Sequence, residues 1–317
     1  MGAIGKRLSI TLLTLILVSI LAFAFFRLIP GDAALLSLGL EAGQEQIDAL
    51  RSDMGLDRPF PAQYFTWLKG FLTGRLGNSA RFRGVSISEM IMERLPVTAA
   101  LAGISFLLVI LIAIPFSLIA VRREKSPADR VVSSVTAIGI SMPGFFIGIL
   151  FIWFFGLILK WFSPGAYVGY RESGPAFLAY LSFPALAIAI PNAALVVKFT
   201  RAAIFRELES DYARTARSKG ADFTRVLARH VFRNASLPAI TVLGMIAGEI
   251  LSGSIVIEQV FGIPGIGRLL LASIAARDYP MIETLMVYIA FAVILANTLA
   301  DIVLEIVDPR ISITGKA

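Results

Sequence analysis

Few residues of this chain could do chemistry of their own. It contains no cysteine and a single histidine, His230, so a thiolate metal site, a Cys nucleophile and a His-based metal cluster are all excluded. No Gly-x-x-x-x-Gly-Lys-Ser/Thr loop occurs, so no P-loop holds a nucleotide here. One carboxylate, Glu249, stands in the middle of an apolar run. If that run lies in lipid, an ionisable group there costs at least a few kcal/mol and is a candidate to line a path or to meet a cation. The bland alternative is a glutamate paired with a polar group of a partner chain. The run 261–267, Phe-Gly-Ile-Pro-Gly-Ile-Gly followed by Arg268, has the composition of a phosphate cradle. It lacks the strand-to-helix context, so Gly262, Pro264, Gly265 and Gly267 read as a turn or re-entrant cap. No buried nucleophile with a base supports an intramembrane enzyme.

These residues are positioned by elements that the composition places in a membrane. Of 317 residues 57% are apolar and 16% charged, against about 25% charged in soluble domains. A bilayer core of about 30 Å needs roughly 20 apolar residues in helical form. Four runs, 8–26, 97–121, 131–159 and 282–306, meet that need cleanly. Two more, 177–197 and 237–257, are interrupted by Pro184 and Pro191 and by Gly244, Gly248, Glu249 and Gly253. Interrupted spans, with Pro115, Pro143 and Gly144 in others, point to a bundle interior where neighbours re-satisfy the freed backbone groups. Lys6 and Arg7 before the first run and Ala22-Phe23-Ala24 near its end resemble a secretory signal, but the run exceeds the usual core of about 7–15 residues and reads as an uncleaved span. The expected fold is therefore an all-α integral membrane protein of six transmembrane helices.

Charge sets the orientation. With the N-terminus inside, Lys and Arg number 2 in the N-terminal tail, 4 in 121–130, 9 in 198–233 and 2 after 308 on the inner side, against 12 on the outer. Eight of those 12 lie in the long loop 27–94, and loops of that length translocate largely regardless of charge. Both termini are thus expected in the cytoplasm, and the net charge of +7 is a retention signal rather than a mark of nucleic-acid binding. Ser126-Pro127-Ala128-Asp129 reads as an N-cap, a first-turn proline and a third-position acid opening the third span at the inner face. Trp161 and Tyr167 suit an interfacial belt at the outer end.

The segment 201–238 is too polar to span and too patterned to be slack. A helix is expected over 204–219, with Leu208, Tyr212, Thr215 and Ala216 on one face and Arg214 and Arg217 elsewhere, stopped by Gly220. Asp222 then caps a second helix through Arg233, carrying Phe223, Val226, Leu227 and Val231. Two short helices meeting at a bend form a knob with a basic flank, suited to docking another protein. A basic helix on anionic lipid or a merely positive loop are the alternatives.

The stretch Asp211-Tyr212-Ala213-Arg214-Thr215-Ala216-Arg217-Ser218-Lys219-Gly220 resembles the coupling loop of permease subunits of binding-protein-dependent ABC importers, in the dipeptide, oligopeptide and nickel branch. Arg214-Thr215-Ala216 stands at the family's Glu-Ala-Ala position, Gly220 matches its glycine, and Leu237-Pro238 arrives later than in the general pattern, as in this branch. Leu28-Ile29-Pro30-Gly31-Asp32, Leu56-Asp57-Arg58-Pro59 with Gln63-Tyr64, Gly139-Ile140-Ser141-Met142-Pro143-Gly144, the run from Glu258 to Gly267, Arg277-Asp278-Tyr279-Pro280 and Asp308-Pro309-Arg310 resemble further branch signatures, in order, along nearly the whole chain.

The resemblance implies a type I ABC importer-like, B-type permease subunit that is not itself an enzyme and binds no cofactor; ATP and Mg²⁺ belong to partner subunits. Implied partners are a second homologous permease, two ABC ATPase subunits and an extracytoplasmic solute-binding protein, with lipid around the spans and no nucleic acid. The organisation expected is a tail and first span at 1–29, an extracytoplasmic loop at 30–95, a five-helix permease domain at 96–308 with its coupling loop at about 201–236, and a cytoplasmic tail at 309–317. The location is the bacterial cytoplasmic (inner) membrane. Thr215, Ala216 and Gly220 are the expected close contacts to an ATPase, with Arg214 and Arg217 orienting the dock. Glu249, Pro143 and Ser141 are the path candidates. The cargo is a di- or oligopeptide, with nickel or metal chelates and oligosaccharides as alternatives within the branch. A secondary transporter or a membrane scaffold is the alternative outside it.

Overall fold

The computed structural model describes residues 2–28, 43–53, 55, 57–79, 81, 85–124 and 126–307. The segments at 29–32 and 308–310, Leu56 and the tail 309–317 lie outside the described residues. Regular structure among those described is helical: α1 Gly2–Leu28, α2 Gln44–Asp53, α3 Phe60–Thr73, α4 Ile87–Arg122, α5 Pro127–Ser141, α6 Gly144–Phe151, α7 Gly174–Leu208, α8 Asp211–Ser218, α9 Phe223–Phe261, α10 Ile266–Ala276 and α11 Tyr279–Val307. Five of these, α1, α4, α7, α9 and α11, are long and apolar enough to cross a bilayer, and the α5–α6 pair makes six.

In that pair the run 131–159 is broken at Pro143 and Gly144, the interruption the sequence marks. Ser126 caps α5 as the sequence predicts, its hydroxyl accepting the Asp129 N–H at 3.3 Å. At Met142 and Pro143 the backbone turns extended, with ψ of 124° and 143°, and the two halves meet at 104°. Proline disfavours the helical conformation in the residue before it, so an unbroken apolar run conceals a bend. Beyond Phe151, α6 widens into a π-helical stretch, Ile152–Ile158.

At the centre stands α7, continuous through Pro184 and Pro191. Hydrocarbon gives no hydrophobic drive between helices, so close packing of small side chains does the holding. Along α7, Ala185, Ala187, Ala189 and Ala193 are buried against Val97, Leu101, Val109 and Ala113 of α4 and Ile246, Ile250 and Ile257 of α9. Near one end of α7, Arg201 pairs with Asp129 of α5 at 2.9 Å and donates to Ser133 at 2.5 Å. The first span stands at the edge against α11. Thr11 and Thr298 share a hydrogen bond at 3.0 Å, and Arg7 meets Glu305 at 3.3 Å and Asp301 at 3.8 Å. Within the expected outer loop, α3 folds back on α1: Phe23 is buried among Phe60, Tyr64 and Trp67, with ring centroids 5.4–5.5 Å apart, and Ser19 bonds Tyr64 at 2.8 Å.

Candidate functional site

Two polar constructions sit at opposite ends of the bundle. The first is the knob. The apolar face of α7 carries on to Leu208, so 204–208 finish the fourth span instead of opening a separate helix, and the break falls at Glu209 and Ser210. Ser210 takes the extended conformation that precedes a helix, φ −68° and ψ 155°, and α8 follows. Its end is a Schellman closure: Gly220 N–H donates to Arg217 O at 2.9 Å and Ala221 N–H to Ala216 O at 3.2 Å. That closure needs the left-handed backbone found at Gly220, φ +81°, which glycine alone adopts without cost. Asp222 then caps α9, its carboxylate accepting the Thr224 N–H at 3.0 Å. Instead of ending near Arg233, this helix runs through a π-helical stretch, Leu227–Val231, and through Pro238 to Phe261. Knob and fifth span are therefore one continuous piece of backbone.

Beneath the knob, Ala213, Ile204, Leu208, Val226, Leu227, Val231 and Ala235 form a buried apolar cluster with Val121 of α4. Ala213, rather than Thr215, is the inward residue of α8. Thr215, Ser218, Lys219 and Gly220 are exposed and Ala216 half-buried, so the small residues expected to make close contact stand on one open tip. Arg214 caps Glu209 O, from Nε at 3.2 Å and Nη2 at 2.9 Å, and Arg217 donates to Leu208 O at 3.3 Å while covering the Phe223 ring. Both guanidinium groups thus satisfy carbonyls at the end of α7, where positive charge also suits the helix dipole. The Tyr212 hydroxyl donates to Glu207 and accepts from Asn234 at 3.1 Å. Partial burial of the hydroxyl, then the bond to Glu207, raises its pKa above the ordinary 10.0.

At the other end lies the cap formed by 262–267. Gly262 ends α9 in a second Schellman closure, φ +70°, with Ile263 N–H on Glu258 O at 2.8 Å. Underneath is Glu258, fully buried and not singled out by the sequence reasoning. Its Oε1 accepts from Thr98 at 2.6 Å and its Oε2 from the Arg268 N–H at 3.0 Å, while Thr98 itself accepts the Ile266 N–H at 2.9 Å. A carboxylate thus sits at the N-terminus of α10, where unpaired amides and the helix dipole favour an anion. Gly265 lies so close that a β-carbon there would come within 2.3 Å of the Glu258 carboxyl. At Gly267 a β-carbon would meet Ile255 Cα at 2.4 Å. Tyr180 donates to Phe261 O at 2.6 Å and accepts the Gly165 N–H at 3.0 Å. The cap therefore joins α4, α7, α9 and α10 in one network.

Known proteins resemble this chain along nearly its whole length. Residues 113–313 match the family described as binding-protein-dependent transport system inner membrane component, and residues 3–102 match the N-terminal model of the same system. The chain belongs to this permease family. A Brucella abortus protein named as a peptide transport system permease is 37% identical over 306 residues, covering 96% of this chain and 97% of its own. The oligopeptide transport system permease protein AppB of Bacillus subtilis is 35% identical over 308 residues, covering 96% and 98%. Among solved structures, an inward-facing form of the MetNI methionine ABC transporter has the same fold, with a TM-score of 0.56 at 16% identity over 69% of this chain and 97% of that one. The protein is a multi-pass membrane permease.

In this permease the path candidates do not converge on one cavity. Ser141 and the side chains of Ser133, Thr136, Lys198 and Arg201 line a cleft of about 590 Å³ between α5 and α7, with Pro143 exposed at the bend beside it. Glu249 lies outside that cleft, exposed on a stripe of α9 shared with Thr241, Met245, Ser252, Gly253 and Val256. Met245 and Thr241 of that stripe, with Asn297 and Asp301 of α11, line a second cavity of about 280 Å³. His230 is an exposed residue of the π-helical stretch. The signal that finds Glu258 is a carboxylate one turn before an αL stop and a new helix start, in an otherwise apolar run.

Proposed function

We propose that this permease is one of two transmembrane subunits of an ATP-driven importer that moves peptides across the bacterial cytoplasmic membrane. The observation that carries the reading is the knob: a glycine-closed tip of small residues, continuous with the fifth span and capped onto the fourth, in a chain of this family. One of the two ABC ATPase subunits docks there, close to Thr215, Ala216 and Gly220, and the ATPase pair holds the ATP and Mg²⁺. A second, homologous permease completes the pore, and a solute-binding protein delivers cargo at the cap end, where Gly262, Pro264, Gly265 and Gly267 close the outer mouth. Both termini then face the cytoplasm with the knob, and lipid covers the exposed apolar face of α1. The α9 stripe carrying Glu249, together with Ser141 and Pro143, lines the path, because a carboxylate facing hydrocarbon costs several kcal/mol. Peptide is favoured as cargo by the names of the relatives.

ATP binding closes the ATPase pair and moves the knobs, shifting the spans between inward-open and outward-open states. The test is to co-express the chain with its genomic neighbours and purify it in mild detergent. ATPase subunits and a second six-span protein copurifying, with hydrolysis stimulated by a peptide-loaded binding protein, is the expected result. A chain that purifies alone and inert, under conditions that preserve a known importer, points to a secondary transporter or scaffold instead.

A further inference from the structure

A push on the knob moves the spans only as far as side chains tie the knob to them. The chain enters α8 through Glu209 and Ser210 and leaves it through 219–222, both short and exposed or half-exposed. Arg214 and Arg217 tie α8 to the carbonyls that end α7. Toward the body of α9 the one hydrogen bond from α8, among the described residues, is that of Tyr212. Its hydroxyl joins Glu207, in the last turn of α7, to Asn234 of α9, which lies twenty-two residues beyond Tyr212. A single phenol oxygen therefore bridges the ends of the fourth and fifth spans across the knob. Thr215 and Ser218 on the tip spend their hydroxyls on their own helix, at Asp211 O and Arg214 O, so the bridge and the docking face use different atoms.

We propose that Tyr212 is a positioning residue that makes the fourth and fifth spans move as one when the knob is displaced, through its shared hydrogen bonds with Glu207 and Asn234. This inference rests on the importer reading and adds to it the atom through which movement is transmitted. Two hydrogen bonds through one oxygen resist shear between α7 and α9. The apolar cluster below, which includes Ala213, Ile204, Leu208, Val226 and Leu227, resists separation but offers no directional bond against sliding. Without the hydroxyl the knob still docks, but part of its displacement is lost as relative slip of the two spans.

The experiment uses the complete complex in proteoliposomes with its binding protein and a peptide, and reads peptide imported per ATP hydrolysed. Tyr212→Phe keeps the ring and removes the bridge; Asn234→Ser and the double variant complete the cycle. Each single change is expected to lower the ratio at least three-fold with ATPase subunits copurifying in wild-type amounts, and the double to fall no further than the single changes. A ratio equal to wild type in Tyr212→Phe overturns the proposal. So do losses that multiply in the double variant, or failure of Tyr212→Phe to retain its ATPase subunits. Wild-type chain that retains no ATPase overturns the importer reading itself, a result distinct from each of these.

Discussion

Replacing Thr98 by valine removes one hydroxyl from the buried cap and nothing of its shape. That hydroxyl donates to Glu258 Oε1 at 2.6 Å and accepts the Ile266 N–H at 2.9 Å, and Glu258 is 0% exposed, so water cannot take over either bond. Each buried polar group left without a partner costs about 1–3 kcal/mol, so the two together cost about 2–6 kcal/mol. Thr98→Ser keeps the hydroxyl and loses one methyl, at about 1 kcal/mol. The assay is unfolding of the complex purified in detergent, followed by SDS titration, with both variants beside the wild type. Valine is expected to destabilise several-fold more than serine in free energy. Equal stability of the two variants refutes the claim that the Thr98–Glu258–Ile266 network holds the cap.

Gly265→Ala places a β-carbon within 2.3 Å of the Glu258 carboxyl, whereas one at Gly253 meets nothing within 4 Å; membrane accumulation, read by immunoblot, is expected to fall severalfold for the first and stay level for Gly253→Ala. Glu249→Gln removes the charge from the α9 stripe. If that stripe lines the path, uptake of peptides with a free N-terminal ammonium falls while uptake of N-acetylated peptides is retained, and unchanged uptake of both assigns Glu249 to a contact with the partner permease.

The spans were legible because hydrocarbon demands long apolar helical runs, and the Ser126, Gly220 and Asp222 caps were legible because capping depends on residues within a few positions. What escaped depends on contacts distant in sequence or on competition between signals. Pro143 followed by Gly144 marked a break in the third span, but the size of the bend, 104°, was hidden by continuous hydropathy on both sides, and Pro115, Pro184 and Pro191 lie in helices that stay continuous. The break at Glu209 and Ser210 was hidden because Ile204 and Leu208 belong equally well to a cytoplasmic helix or to the end of α7; packing against Val121 of α4 decides it. Arg214 and Arg217 read as docking charges, and their bonds to Glu209 O and Leu208 O become visible only once α8 folds back on α7. Glu258 bonds Thr98, 160 residues away, a pairing no local pattern discloses.

In the proposed importer the knob couples ATP hydrolysis to movement of the spans. Peptide uptake and ATP hydrolysis measured together in proteoliposomes, for the wild type and Gly220→Asp, test that coupling. The substitution forces a side chain into a backbone at φ +81°, a strain of roughly 1–2 kcal/mol confined to the exposed tip, with no atom within 4 Å of the new β-carbon to disturb the fold. The predicted result is a complex that inserts and assembles normally but hydrolyses ATP without importing peptide. Normal uptake by Gly220→Asp at a normal ratio to hydrolysis contradicts the claim.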